Sequence, residues 1–276
     1  MSLREFQRAL GDFVASPELC RAAIADPRWV RGEYELTDRE LKRLLHSAEQ
    51  PGMQVCWSLH RANRFGPIHA VLPLTCRALG SLLRRELDAF WGGALPQDLQ
   101  FKSEAQRFAS FLRRRVRDGH LPIPVVDDLV SFELALADLR FLPQRNVRET
   151  LRRAEAAPGE TRLILHPLVR LLRFRHDPER LLAALINEKP LPPDLRPGNH
   201  YLLIDGNDGA MAIRLLDERL GGILSTFDLG IPQSLSEVDL EALRKAGLIA
   251  RWPKDEAPAC LADGQNRWAT APPPAP

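Results

Sequence analysis

The first half of the chain is patterned for helices. Leu3, Phe6, Leu10, Phe13 and Val14 recur at helical spacing and make one apolar stripe. Ser16 ahead of Pro17 supplies a cap and a first-turn proline, the start of a second short helix. Thr37 and Glu40 have the spacing of a capping box, Leu41, Leu44 and Leu45 follow, and Pro51-Gly52 ends that helix. The pattern then predicts a helix over 53–65 stopping at Gly66. Another is predicted over 74–91, stopping at Gly92-Gly93, with Leu79, Leu82, Leu83, Leu87 and Phe90 on one face. Ser103 and Gln106 repeat the capping-box spacing and open a helix that runs through Val116 and closes near Gly119. Pro124 opens a last long helix with Leu129, Phe132, Leu136 and Leu139 on its buried side. No strand-like alternation precedes residue 160.

The character then changes. Residues 143–160 are polar and weakly patterned, which suits a linker or a solvated helix. Beyond them, Leu163 and Leu165, then Val169, Leu171 and Phe174, suit short strands, and Asp177-Pro178 caps a helix. Four prolines within 189–199 mark an exposed loop. Two apolar runs, HYLLID and AMAIRLL, flank Gly-Asn-Asp-Gly and predict a β-hairpin. Helices are expected at 217–228 and 237–246, the second between Ser236 and Gly247, and GLIARW returns as a strand. The proline-rich end, 253–276, is expected to be disordered. The expected organisation is α+β: an all-α helical domain over 1–142, a linker over 143–160, and a small winged-helix-like domain with an antiparallel sheet over 161–252.

Composition narrows the function classes. A chain of 276 residues can bury a full core without a metal or disulfide staple. Its 38 basic and 36 acidic residues nearly cancel, so no bulk attraction for nucleic acid or anionic membrane is indicated. The basic residues are unusual in kind: five are lysine and 33 arginine. Planar, bidentate carboxylate contacts are one reason for such a bias, and codon usage is the plainer one. Cys20, Cys56, Cys76 and Cys260 are far apart and form no CxxC pair. The opening MSLREFQRAL lacks the apolar core of a signal peptide, and no stretch approaches the roughly 18 apolar residues of a membrane span, so a cytoplasmic chain without membrane contact is expected.

The residues offer little catalytic chemistry. His46, His60, His69, His120, His166, His176 and His200 show no metal-binding spacing, and each alone reads as a surface or internally satisfied histidine. No nucleophile elbow, P-loop or dinucleotide fingerprint occurs, and Asp127-Asp128 and Asp217-Glu218 read as helix-start charges. No catalytic or metal-ligating residue is assigned. The hairpin domain is the strongest binding cue, because an open sheet edge accepts an extended peptide as an added strand. Arg170, Arg173, Arg175, Arg214, Arg244 and Lys245 could meet an acidic peptide there, or serve only as solvated edge charges that prevent aggregation.

Several segments resemble a known family. LREFQRALGDFV resembles the first helix of a helical family that carries a DNA-binding label. WSLHRANRFGPIHAVLPLTCRALGSLLRRELDAFW resembles that family's central helix pair, with an R-x-N element at Arg61 and Asn63 and a proline-started helix at Pro73 containing Gly80. EAQRFASFLRRRV and DDLVSFELALADL resemble the next two helices. HPLVRLLRFRHDPERLLAAL resembles the opening of the C-terminal domain of methanobactin C-like proteins, partners of multinuclear iron-dependent oxidative enzymes in ribosomal peptide natural-product biosynthesis. The likeness spans about residues 3–252 through diffuse helix patterns.

This resemblance implies a non-catalytic subunit of a heterodimer with a TIM-barrel enzyme. The iron would lie in that enzyme, with no cofactor in this chain, and the substrate would be a ribosomally made precursor peptide. The C-terminal domain would hold the peptide leader as an added strand. The expected receiving edge is Ala212, Ile213, Arg214, Leu215 and Leu216, with Arg244 and Lys245 lining the adjacent groove. Arg61, Asn63 and Arg64 are expected to face the partner enzyme. The alternative is a winged-helix nucleic-acid-binding regulator. Glu237, Asp239 and Glu241 on its would-be recognition helix, against only Arg244 and Lys245, count against it. A hydrolase or transferase with an unrecognised site is the third reading.

Overall fold

The computed structural model describes residues 3–92, 101–156, 161–207, 210–228 and 235–254. The helix stop at Gly93, the end of the expected linker at 157–160, the Asp208-Gly209 half of the expected turn, Cys260 and the expected tail from residue 255 lie outside them. Contacts divide the chain into two units, Met1–Arg115 and Val116–Pro276. The N-terminal part is helical and a small antiparallel sheet region follows, an α+β chain as its patterning implied.

In the first unit, α1 (Leu3–Ala15), α2 (Pro17–Ala25), α3 (Pro27–Glu33) and α4 (Asp38–Glu49) close around Phe13, Cys20, Val30, Tyr34, Leu41 and Leu44. Their ends follow local chemistry. Ser16 accepts from the Leu19 amide at 3.2 Å and caps α2. Asp26 caps α3 in the same way, with Pro27 at its first position. Thr37 and Glu40 complete both halves of the capping box. α5 (Gly52–Val71) runs straight through Gly66 and Pro67 instead of stopping. Burial of Ile68 and Val71 holds the turn beyond the proline in helical form. The helix expected over 74–91 is two: α6 (Pro73–Leu79) and α7 (Leu83–Gly92), with a 3-10 turn between. Gly80, at φ +50°, turns the backbone where a side chain would be strained. α8 (Phe101–Arg117) begins ahead of Ser103, so Ser103 is not its cap. Phe90 of α7 packs on Phe108 and Phe111 of α8.

The second unit takes in two helices expected elsewhere, α9 (Val126–Phe141) and α10 (Gln144–Ala156). Contacts thus place the division after Arg115, ahead of α9, and 144–156 takes the helical one of the two forms expected of it. The reason is long-range. α9 packs on β2 (Val169–His176), with Phe132 edge-on to Phe174 at 6.3 Å. α10 buries Val147 and Ala154 and packs on β5 (Ile249–Pro253). β5 includes Pro253 and pairs antiparallel with β1 (Thr161–Leu165), from Thr161 opposite Pro253 to Leu165 opposite Ile249. A second sheet has the order β2-β3-β4, with β3 at Pro197–Asp205 and β4 at Ala212–Leu216. The hairpin is the expected one, with Asp205 opposite Ala212 and Tyr201 opposite Leu216.

The three-stranded sheet is packed by α12 on one face, and α9 packs on its β2 strand. Val169, Leu171, Leu203 and Leu216 join a core with Leu220, Leu224 and Phe227 of α12 (Glu218–Asp228). Gly221 allows this approach, because a Cβ there would fall 2.1 Å from the Tyr201 ring. α11 (Pro178–Ile186) is capped by Asp177 through the Glu179 and Arg180 amides. α13 (Glu237–Lys245) contributes Leu240 and Leu243 to the core.

One carboxylate joins α9 to the sheet. The β2–β3 register slips between Phe174 and His176. Asp128 accepts the backbone amides of Arg175 at 3.0 Å and His176 at 3.2 Å, and its Oδ2 lies 2.7 Å from His176 Nδ1. Asp128 is thus a buried bridge to a bulged strand, beyond the helix-start charge expected of it.

Two stability measurements follow. Asp128→Ala leaves the bulge amides unpaired and is expected to cost about 3 kcal/mol or more in denaturant unfolding, with Asp128→Asn costing less because one acceptor oxygen remains. His166, in the β1–β2 turn, accepts the Leu168 amide on Nδ1 at 3.2 Å. Desolvation outweighs the pull of Asp205 and pushes its pKa down from 6.5 to about 4. Between those values the unfolded chain takes up a proton that the folded chain refuses. Its contribution is therefore complete above about pH 6.5 and lost as pH falls towards 4. The unfolding midpoint should drop across that window, and His166→Asn should flatten the drop.

Candidate functional site

A strand can be added only where a sheet edge is open. In the β2-β3-β4 sheet the two edges differ. β2 carries the bulge, is packed by α9, and bears Arg170, Arg173 and Arg175. Those are features that block further pairing. Its arginines are also engaged. Arg170 folds back on the Pro167 and Val169 carbonyls, Arg173 donates to Asn199, and Arg175 lies 3.9 Å from Asp127. β4 carries no bulge, and its single arginine is Arg214. It pairs with β3 through five consecutive residues without a register shift, and among the described residues no strand lies on its outer side.

The side chains of β4 alternate in surroundings. Leu216 and its face turn to the α12 core. Ile213 and Leu215 point to the opposite face, where their β3 partners Ile204 and Leu202 are buried. Ile213 is nonetheless 47% exposed and Leu215 53% exposed. The apolar cover of that face therefore ends at the last strand. Covering both side chains contributes on the order of 1 kcal/mol each. Arg214, on the other face, is mostly exposed and only loosely matched by Asp205 at 3.7 Å. Asp205 itself is held by the turn, accepting the Asn207 amide at 3.0 Å. The strand thus presents main-chain groups, two apolar side chains and one guanidinium to an incoming chain.

The other expected site residues fall elsewhere. Arg244 and Lys245 sit at the end of α13, which packs on β5, and both reach Glu241 of their own helix, at 3.3 and 3.8 Å. In the first unit, Arg61 and Asn63 are exposed on α5, with Arg61 2.8 Å from Asp88. Arg64 is a correction. Its side chain is 3% exposed, donates from Nε to Glu104 at 2.7 Å, and lies over Phe90 and Trp91. A buried guanidinium held by a buried carboxylate cannot face a partner enzyme. Helical spacing alone does not reveal this, because Glu104 lies forty residues away.

Glu104 also accepts from Arg107, and Glu86 repeats the arrangement between Arg85 and Arg115. Arg115 approaches Glu86 through two nitrogens, at 2.9 and 3.3 Å, the bidentate contact an arginine-rich sequence favours. These hydrogen bonds outweigh burial and hold Glu86 below the usual carboxylate range. Among the described residues, no group of three or more His, Cys, Asp and Glu side chains could hold a metal ion. No helix among them is long and apolar enough to cross a membrane.

The two α5 arginines should separate cleanly in unfolding experiments on the full chain. Arg64→Ala strands the buried Glu104 charge and is expected to cost about 3–5 kcal/mol, whereas Arg61→Ala, which breaks an exposed pair, is expected to cost at most about 1 kcal/mol.

Compared with known proteins, the chain matches no family model and no curated protein.

Proposed function

We propose that the chain is a non-catalytic subunit that recruits the leader of a ribosomally made precursor peptide to a multinuclear iron oxidative enzyme of TIM-barrel fold, the leader joining β4 as an added strand. The observation that carries the reading is the state of β4. It is an unbulged edge strand with an unpaired outer side among the described residues and two exposed apolar side chains continuing a buried face. Main-chain pairing supplies affinity, and Ile213, Leu215 and Arg214 supply choice: apolar residues on one face, an acidic residue on the other. The resemblance of HPLVRLLRFRHDPERLLAAL to the opening of the C-terminal domain in partners of such enzymes supplies the context. Iron and oxidative chemistry would belong to the enzyme, and this chain would hold the substrate.

Co-expression with the proteins encoded beside this one, followed by size-exclusion chromatography and iron analysis, tests the assembly. A co-eluting complex carrying iron is expected, and a chain that elutes alone without metal counts against it. The edge is tested by proline. Strand amides point alternately inwards and outwards, so of Ile213→Pro and Arg214→Pro one removes a donor to β3 and the other an outward donor. The outward variant should fold and lose leader affinity at least tenfold, and wild-type affinity in that variant would remove β4 from the account.

A further inference from the structure

The charges of the first unit are unevenly placed. Residues 1–49 carry eight basic and nine acidic side chains, whereas residues 50–115 carry ten basic and four acidic. Two of those four acids, Glu86 and Glu104, are fully buried, and Asp88 pairs with Arg61. The fourth, Asp98, lies outside the described residues. Two of the carboxylates that balance this region thus sit inside it, while arginines that they hold reach its surface.

These arginines follow the seam between α7 and α8. Arg85 donates to one oxygen of Glu86 through Nε and Nη2, at 3.1 and 2.8 Å, and Arg115 donates through Nε to the other at 2.9 Å. Two guanidiniums, one from each helix, therefore share one buried carboxylate among the described residues. Arg85 stays exposed and Arg115 partly so. Arg107 shares Glu104 with the buried Arg64 and is also partly exposed. Between them, the half-buried Phe111 lies 5.5 Å from the Phe90 ring and 5.9 Å from the Arg115 guanidinium. Arg107, Phe111, Arg114 and Arg115 fall at i, i+4, i+7 and i+8, on one side of α8. Arg114 is exposed and makes no ion pair among the described residues. The buried carboxylates fix the guanidiniums from beneath, so a ligand has little left to order.

We propose that this seam docks an acidic segment of a polypeptide partner, one that carries an apolar side chain between its carboxylates. One carboxylate bridges Arg85 and Arg115 from the solvent side, opposite Glu86. A second meets Arg107, and the apolar side chain lies on Phe111. Eight residues of helix separate the two anchors, about 12 Å, and about four residues of an extended chain span that distance. Forked guanidinium donors match carboxylates, and the aromatic floor between the anchors matches a side chain better than a sugar–phosphate backbone. An acidic polypeptide is therefore favoured over a nucleic acid. The seam is independent of strand addition, because β4 belongs to the other unit.

Fluorescence anisotropy of a dye-labelled, end-blocked Glu-Glu-Leu-Glu-Glu peptide, titrated with the full chain, tests the proposal. A Kd on the order of 100 μM is expected at low salt, weakening as salt screens the exposed charges. The Gln-Gln-Leu-Gln-Gln peptide, of the same shape without charge, is expected to bind at least tenfold more weakly. Arg85→Gln leaves Glu86 held by Arg115 and should weaken the acidic peptide at least fivefold. Arg114→Gln disturbs no ion pair and should weaken it in the same direction, which keeps the test open if Arg85→Gln does not fold. Arg43→Gln removes the same charge from α4 and should leave the affinity unchanged. No binding of the acidic peptide at 1 mM protein (about tenfold above the expected Kd), equal binding of the two peptides, or an equal loss in Arg43→Gln would overturn the proposal. So would wild-type affinity in folded Arg85→Gln, or in Arg114→Gln if the former is unfolded. Tighter binding of a duplex DNA carrying the same dye would also overturn it, in favour of a nucleic acid.

Discussion

The carboxylate of Asp128 sits where a helix meets a strand that has lost its register. A bulge at the end of β2 takes Arg175 and His176 out of the regular ladder. Leaving such amides buried without an acceptor costs about 1–3 kcal/mol each. Asp128 takes both and adds the His176 ring, so one side chain of α9 closes the bulge and seats the helix on the sheet. On the opposite face Gly221 lets α12 approach Tyr201 closely enough to seal the core. With β2 bulged and packed by α9, β4 is the edge with no described strand beside it. The proposed role depends on this closure more than on any residue within β4.

The first unit relies on a different polar device. Glu86 and Glu104 are fully buried, and each is gripped by two arginines. Such pairs add little net stability over a well-packed apolar alternative, but breaking one leaves a buried charge alone. Their effect is to join distant parts of the unit: Arg64 of α5 to Glu104 of α8, and Glu86 of α7 to Arg115 of α8. The Arg64 guanidinium, held by Glu104, also lies 5.4 Å from the Trp91 ring centre.

Local signals in the sequence were legible and long-range ones were not. The caps at Ser16, Thr37, Asp177 and Ser236 act on amides within three residues, and the sequence spacing already contains them. The hairpin was legible because two apolar runs flank a glycine-bounded turn. Gly66-Pro67 misled, since the burial of Ile68 and Val71 that carries α5 onwards is tertiary. Gly80 misled in the other direction: one glycine in a leucine-rich run looks tolerable until its positive φ is known. The division ahead of α9 was not legible, because Asp128 acts on a strand nearly fifty residues later, and no window of periodicity spans that distance. Arg64 shows the same limit for the candidate site. An arginine beside a glycine–proline pair looks solvated, and only its partner forty residues away makes it core. Edge strand β4 was readable as a strand and expected, through the resemblance, as the receiving edge; that no described strand pairs on its outer side is a fact of topology that no local pattern contains.

Amide hydrogen exchange along β4 tests the central claim most directly, measured on the chain alone and again with the precursor peptide bound. In the free chain, alternate amides within 212–216 should exchange quickly while those paired to β3 exchange slowly, the pattern of an open edge. With the peptide bound, the fast set should slow by orders of magnitude and β2 should stay unchanged. If β4 exchange is unaltered while protection appears on β2 or in the helical unit, the peptide binds elsewhere and β4 is not the receiving strand.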